Sequence, residues 1–230
     1  MKFRNFLVAL VYSVNLIGQQ ADLKKDICQP LNIAPICNES AQSIYKCIEN
    51  ARPPFDWLDS NNNCEDRANA VCLLLDSWGI SNGKCWCFNG RTAKYADRSG
   101  SMDGYGYHVA GIFFVKNPAG SFDTLVIDPL MDSTKLLTLK QWALMLTTGG
   151  KNFYFVTTNK VYNHNGVCLN PTWQTNEGRF EDTMKGLTGY NPSWKTLGTR
   201  RKLKNLNTVK STFENLRKSP PNDIQAVCHP

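Results

Sequence analysis

A change of period near residue 80 constrains this chain most. Residues 61–79 place Ala68, Val71, Cys72 and Leu75 at i, i+3, i+4 and i+7, the spacing of one helix face, and Gly79 is a natural stop. Asn61 to Asn63 supply cap chemistry at the start. Beyond Gly79 the pattern turns to strands. Lys84 to Phe88 is one. Tyr107 to Val115 is a strong buried one. Asn117-Pro118-Ala119-Gly120 is a turn, and Phe122 to Ile127 is a further strand ended by Pro129. So short a turn predicts an antiparallel hairpin. A short helix over Thr138 to Leu146, ended by Gly149-Gly150, and a strand over Asn152 to Thr157 complete the pattern. The fold class expected is α+β, with an antiparallel sheet packed against a cysteine-bearing helix.

Three segments flank that centre. Residues 1–21 read as an export signal: Lys2 and Arg4, then an apolar run from Phe6 to Ile17, then small and polar residues up to Ala21. Residues 22–59 form an N-terminal segment broken by Pro30, Pro35, Pro53 and Pro54, with one short helix near 40–50. Residues 60–230 form the main domain, whose part beyond about 158 is polar, basic and loop-rich. Residues 98–106 read as a Gly-rich loop before the second strand, either a lid or a plain connection. The localisation expected is secreted or periplasmic.

Charge and composition exclude some classes. Hydrophobic residues are 42% and charged residues 20%, which is globular rather than disordered. The formal charge of +7 falls to +5 when Lys2 and Arg4 leave with the signal. That mild excess, with Arg200-Arg201-Lys202-Leu203-Lys204 read as a solvated face, predicts no nucleic-acid partner. No run reaches the roughly 18 apolar residues of a membrane span, so no stable membrane insertion is expected.

Nine cysteines stand at 28, 37, 47, 64, 72, 85, 87, 168 and 228. In an oxidising compartment most are expected to pair, and an odd count leaves at least one thiol over. A metal site is not expected. Cys85-Trp86-Cys87 has no second cysteine or histidine pair at zinc-ligand spacing.

The histidines are His108, His164 and His229. Of these, His108 alone opens a buried strand, where a base is held rigidly. Cys64 opens the main helix, where unpaired amide N–H groups and the helix dipole favour thiolate. Asp128 ends the strand after that of His108, so a hairpin sets it beside the imidazole. Cys64, His108 and Asp128 are the candidate nucleophile, base and orienting carboxylate. The same residues also fit a plainer reading: half a disulfide, a satisfied core histidine and a turn starter. Trp57, Trp86 and Tyr107 are candidates for lining a substrate groove, with core packing as the alternative.

These residues resemble a known family. Asn63-Cys64-Glu65-Asp66-Arg67-Ala68, Tyr107-His108-Val109-Ala110 and Ile127-Asp128-Pro129 resemble, in order, the motifs of bacterial protein-glutaminases. Lys84-Cys85-Trp86-Cys87-Phe88 is similar to the strand after their first helix. The resemblance spans about residues 60–132. It implies a transglutaminase-like, papain-like core with a Cys-His-Asp triad. It also implies hydrolysis of glutamine side-chain amides in proteins, with no cofactor. Partners are then protein substrates with accessible glutamine, met by a monomer. The alternatives are a transglutaminase or cysteine protease on the same core, or a non-catalytic, disulfide-rich exported module.

Overall fold

A computed structural model describes residues 31, 33–52, 54–57, 63–89, 93–94, 101–102, 107–146, 152–161, 179–189 and 204–225. The expected signal, the basic run at 200–203 and most of the 98–106 loop lie outside them. No helix among the described residues is long and apolar enough to cross a membrane.

The helices are α1 (Asn38–Asn50), α2 (Cys64–Ser77), α3 (Leu139–Met145), α4 (Phe180–Leu187) and α5 (Leu206–Lys218). The strands are β1 (Asn82–Asn89), β2 (Ala93–Lys94), β3 (Ser101–Met102), β4 (Tyr107–Lys116), β5 (Phe122–Ile127), β6 (Leu137–Thr138) and β7 (Asn152–Thr158). Five of them form an antiparallel sheet in the order β6-β5-β4-β1-β7, and β2 pairs with β3. The α+β architecture is that expected. The predicted helix over 61–79 starts at Cys64, and the predicted β4–β5 hairpin forms.

α2 lies on the sheet through a glycine. A Cβ on Gly111 would meet Val71 Cγ1 at 2.6 Å, so the strand omits a side chain where the helix approaches. The core joins Ile44 and Ile48 of α1 and Val71, Leu74 and Leu75 of α2 to Ile112 and Phe113 of β4 and Trp142 of α3. The N-terminal segment is part of this core. Ile36 bridges β4 through Ile36 N–H to Phe114 O (2.9 Å) and Lys116 N–H to Ile36 O (2.8 Å), and Phe55 and Trp57 are buried.

The region beyond 158, expected to be loop-rich, supplies α4 and α5 among its described residues, and their Met184, Leu187, Val209 and Phe213 are buried. One expectation is corrected: most cysteines are not paired. Cys37 is disulfide-bonded, but Cys47, Cys64, Cys72, Cys85 and Cys87 are free. With five of nine free, at most two intrachain bonds remain where the count allowed four. The reason is placement. Cys72 Sγ donates to Gly83 O and Cys85 Sγ to Ala110 O, so these thiols act as small core residues.

Candidate active site

The β4–β5 ladder ends at Gly111–Ile127. Residues 107–110 of β4 continue with β1 on one side and have outrun β5 on the other. Asp128, the first residue past β5, turns into that space. Its backbone carbonyl accepts from Met131 N–H (2.9 Å) and Asp132 N–H (3.2 Å). Leu130 and Met131 anchor the turn in the core, and the Tyr45 hydroxyl donates to Asp132 O.

Here Asp128 meets His108. His108 Nε2 lies 2.8 Å from Asp128 Oδ2, with both side chains buried. Trp142 Nε1 donates to the same oxygen at 2.8 Å, and its ring stacks on the imidazole at 5.7 Å between centroids. A carboxylate accepts, so Nε2 carries the proton and Nδ1 the lone pair. The ring is thereby held in one tautomer and one orientation. Trp142 was not singled out from the sequence. The signal lay in α3, where Thr138 and Gln141 form a capping box and Trp142 is the first large residue after it.

Cys64 is the first residue of α2. It packs with Ala68, Trp86 and Val109, and Tyr107 borders this cluster. A backbone hydrogen bond from Val109, the residue after His108, reaches its sulfur. The helix start favours thiolate at Cys64, and burial acts against it. Burial pushes the thiol well above its ordinary value, Glu65 adds to the rise, and Arg67 and the Val109 backbone only partly offset it. Cys64 is 3% exposed, so desolvation opposes the local dipole.

The remaining candidates divide. Trp86 is fully buried and donates to Thr157 Oγ1 at 2.9 Å. Trp57 is 2% exposed, stacks on Phe55 at 4.7 Å and donates to Ile48 O. Trp86 packs in the cluster around Cys64, and Trp57, though buried, also borders the cavity beside His108 and Asp128. Large apolar rings beside a helix–sheet seam are drawn into it. Tyr107 is half-buried, and its hydroxyl donates to Glu65 Oε1, tying the start of β4 to the first turn of α2. A cavity of about 10 Å³, the size of one water, lies between Trp57, Arg67, His108 and Asp128. Arg67 is buried beside it.

Comparison with known proteins fits this arrangement. A family model described as Glutaminase matches residues 41–146, a span that contains Cys64, His108, Asp128 and Trp142. The fold of the chain is that of protein-glutaminase. A crystal structure of protein-glutaminase aligns with a TM-score of 0.57 at 20% identity, covering 69% of this chain and 89% of that one. The NMR structure of protein-glutaminase from Chryseobacterium proteolyticum aligns at 0.56 and 18% identity, covering 76% and 97%. A pro-protein-glutaminase structure aligns at 0.57 and 18% identity, covering 81% and 68%. A comparison with curated proteins finds no match. The match to the glutaminase model stops before α4 and α5, which pack on α2 from outside it.

Proposed function

We propose that the chain is an exported protein-glutamine deamidase, with Cys64 as nucleophile, His108 as base and acid, and Asp128 as the orienting carboxylate. What carries the reading is the 2.8 Å contact between His108 Nε2 and Asp128 Oδ2, one residue from the backbone that bonds the Cys64 thiol. The glutaminase-family match over the same residues supports it.

The buried thiol starts neutral. His108 takes its proton through Nδ1 when the substrate carboxamide displaces water from the site, and the resulting ion pair is held by Asp128. The sulfur attacks the amide carbon of a glutamine side chain. Amide N–H groups at the start of α2 stabilise the oxyanion. Collapse breaks the C–N bond, and the proton on His108 leaves with ammonia. His108 then takes a proton from water, which attacks the thioester. The second collapse releases glutamate and returns the proton to sulfur. The balance is one amide and one water to one carboxylic acid and one ammonia. The enzyme acts as a monomer on protein substrates and uses no cofactor.

The test is ammonia release from a glutamine-bearing protein by wild type and Cys64→Ala, with a lysine-rich acceptor in a parallel reaction. Ammonia and new glutamate, lost in the variant, support the reading. Cross-links to the acceptor would make it a transglutaminase. Absence of ammonia from the wild type across varied substrates would sink it.

A further inference from the structure

The helix that carries Cys64 begins abnormally. Its N-cap, Asn63, sits at φ 64° and ψ 21°, the left-handed region that non-glycine residues rarely occupy. An N-cap asparagine normally takes an extended backbone and turns its side chain onto the N–H groups of the first turn. Asn63 does neither. It makes no side-chain cap bond; its Nδ2 instead donates to Gly186 O of α4 at 3.0 Å.

Two further contacts lie on the same line. Asp66 presses on Gly186 so closely that a Cβ there would lie 1.8 Å from Asp66 Oδ2 and 2.7 Å from Asp66 Cβ. Asn69 Nδ2 donates to Thr183 Oγ1 at 2.7 Å, and both residues are fully buried. Residues 63, 66 and 69 are spaced by three along α2, and 183 and 186 by three along α4, so one face of each helix makes the seam. Lys84 Nζ extends it beneath, donating to Asn69 Oδ1 at 2.9 Å and Val161 O at 2.7 Å.

We propose that Asn63 and Gly186 are positioning residues for the nucleophile, and that α4 holds the turn that aims Cys64. The inference rests on the function proposed above. Strained backbone persists where surrounding contacts over-determine it, and here they come from α4. The diverted carboxamide has a chemical consequence. A normal cap would place its oxygen on first-turn N–H groups; with Asn63 turned to Gly186, its oxygen does not compete there with an oxyanion. Gly186 is required for its size rather than its backbone. Alanine is the better helix former, yet its methyl group would drive α4 away from Asp66 and pull the carbonyl from Asn63.

The experiment measures kcat and KM for ammonia release from a short glutamine peptide. The variants, each normalised to folded protein by near-ultraviolet circular dichroism, are Asn63→Gly, Gly186→Ala, Asp66→Gly/Gly186→Ala, Glu181→Ala and Cys64→Ala. Asn63→Gly keeps the left-handed backbone accessible and deletes the anchor. It is expected to lower kcat on the order of tenfold, with KM within about twofold, the signature of a misaimed reacting group. Gly186→Ala should do the same, and Asp66→Gly beside it should recover a large part of the loss by making room for the methyl group. Glu181, on the exposed side of α4, is the control and should keep the wild-type rate. Wild-type kcat in Asn63→Gly, beside an active wild type and an inactive Cys64→Ala, overturns the positioning role alone. No ammonia from the wild type overturns the function and this inference together.

Discussion

Trp142 donates its indole N–H to Asp128 Oδ2, the oxygen that also holds His108. One carboxylate oxygen thus fixes two rings that stack on each other, and α3 becomes part of the site. Trp142→Phe keeps much of the stack and removes the donor. We expect kcat to fall about tenfold and stability to fall by about 1–2 kcal/mol, the usual effect of unpairing one buried bond. Steady-state ammonia release and urea unfolding read the two effects. Unchanged kcat would remove Trp142 from the site.

Asp128→Asn is a sharper test of the same contact. An amide can present its N–H₂ to Nε2, which reverses the tautomer and leaves Nδ1 protonated against the thiol. A loss of about 10⁴ in kcat is the expected outcome by analogy with other triads. The measurement is ammonia release at saturating substrate, and a loss of tenfold or less would refute an orienting role.

The thiol of Cys64 should label slowly in the free protein. Burial and Glu65 hold it protonated. Iodoacetamide at pH 7, followed by peptide mass mapping, should modify partly buried Cys47 before fully buried Cys64. Rapid alkylation of Cys64 at neutral pH would mean that the resting site is an ion pair after all.

Gly111→Ala should destabilise the fold by about 1–3 kcal/mol, because Val71 is β-branched and cannot swing clear of a methyl group at 2.6 Å. Pairing it with Val71→Ala should recover part of that loss. Chemical unfolding of the two variants decides it. A fully tolerated Gly111→Ala would mean that α2 sits farther from β4 than described.

Stability should fall above about pH 9. Cys47, Cys64, Cys72, Cys85 and Cys87 are all raised by burial, so above the model-peptide value of 9.0 the unfolded chain loses protons that the fold keeps. Lys84 works the other way. Burial lowers it from 10.5 to about 8, so between those values the unfolded chain holds a proton that the fold has shed, and stability gains. Five thiols against one lysine give a net loss. Thermal unfolding between pH 7 and 10.5 measures it; a Tm that climbs above pH 9 would contradict the balance.

Much of the fold was legible because its signals are local. The period of α2, the Asn117–Gly120 turn and the short apolar runs of β4 and β5 each depend on a dozen residues or fewer. A hairpin of that length puts Asp128 near His108 whatever the rest of the chain does. α4 and α5 were missed although Phe180, Met184 and Leu187, and Leu206, Val209, Phe213 and Leu216, keep helical spacing. Their other positions are polar, and propensity is a weak guide to short helices stabilised by packing. The cysteines misled for the opposite reason: parity and compartment say how many can pair, not which are buried apart.

The chain's local patterns, then, carry the order of helix-borne thiol, strand-borne imidazole and strand-end carboxylate. Tertiary contact decided what those groups are like. Burial pushes the Cys64 thiol toward its neutral form. Gly186, 123 residues away, rather than the adjacent turn, takes the side chain of Asn63. Trp142 reaches Asp128 from α3, beyond the turn that follows β5. Desolvation and long-range hydrogen bonds depend on which distant segments fold over a residue, and no window of sequence around that residue contains them.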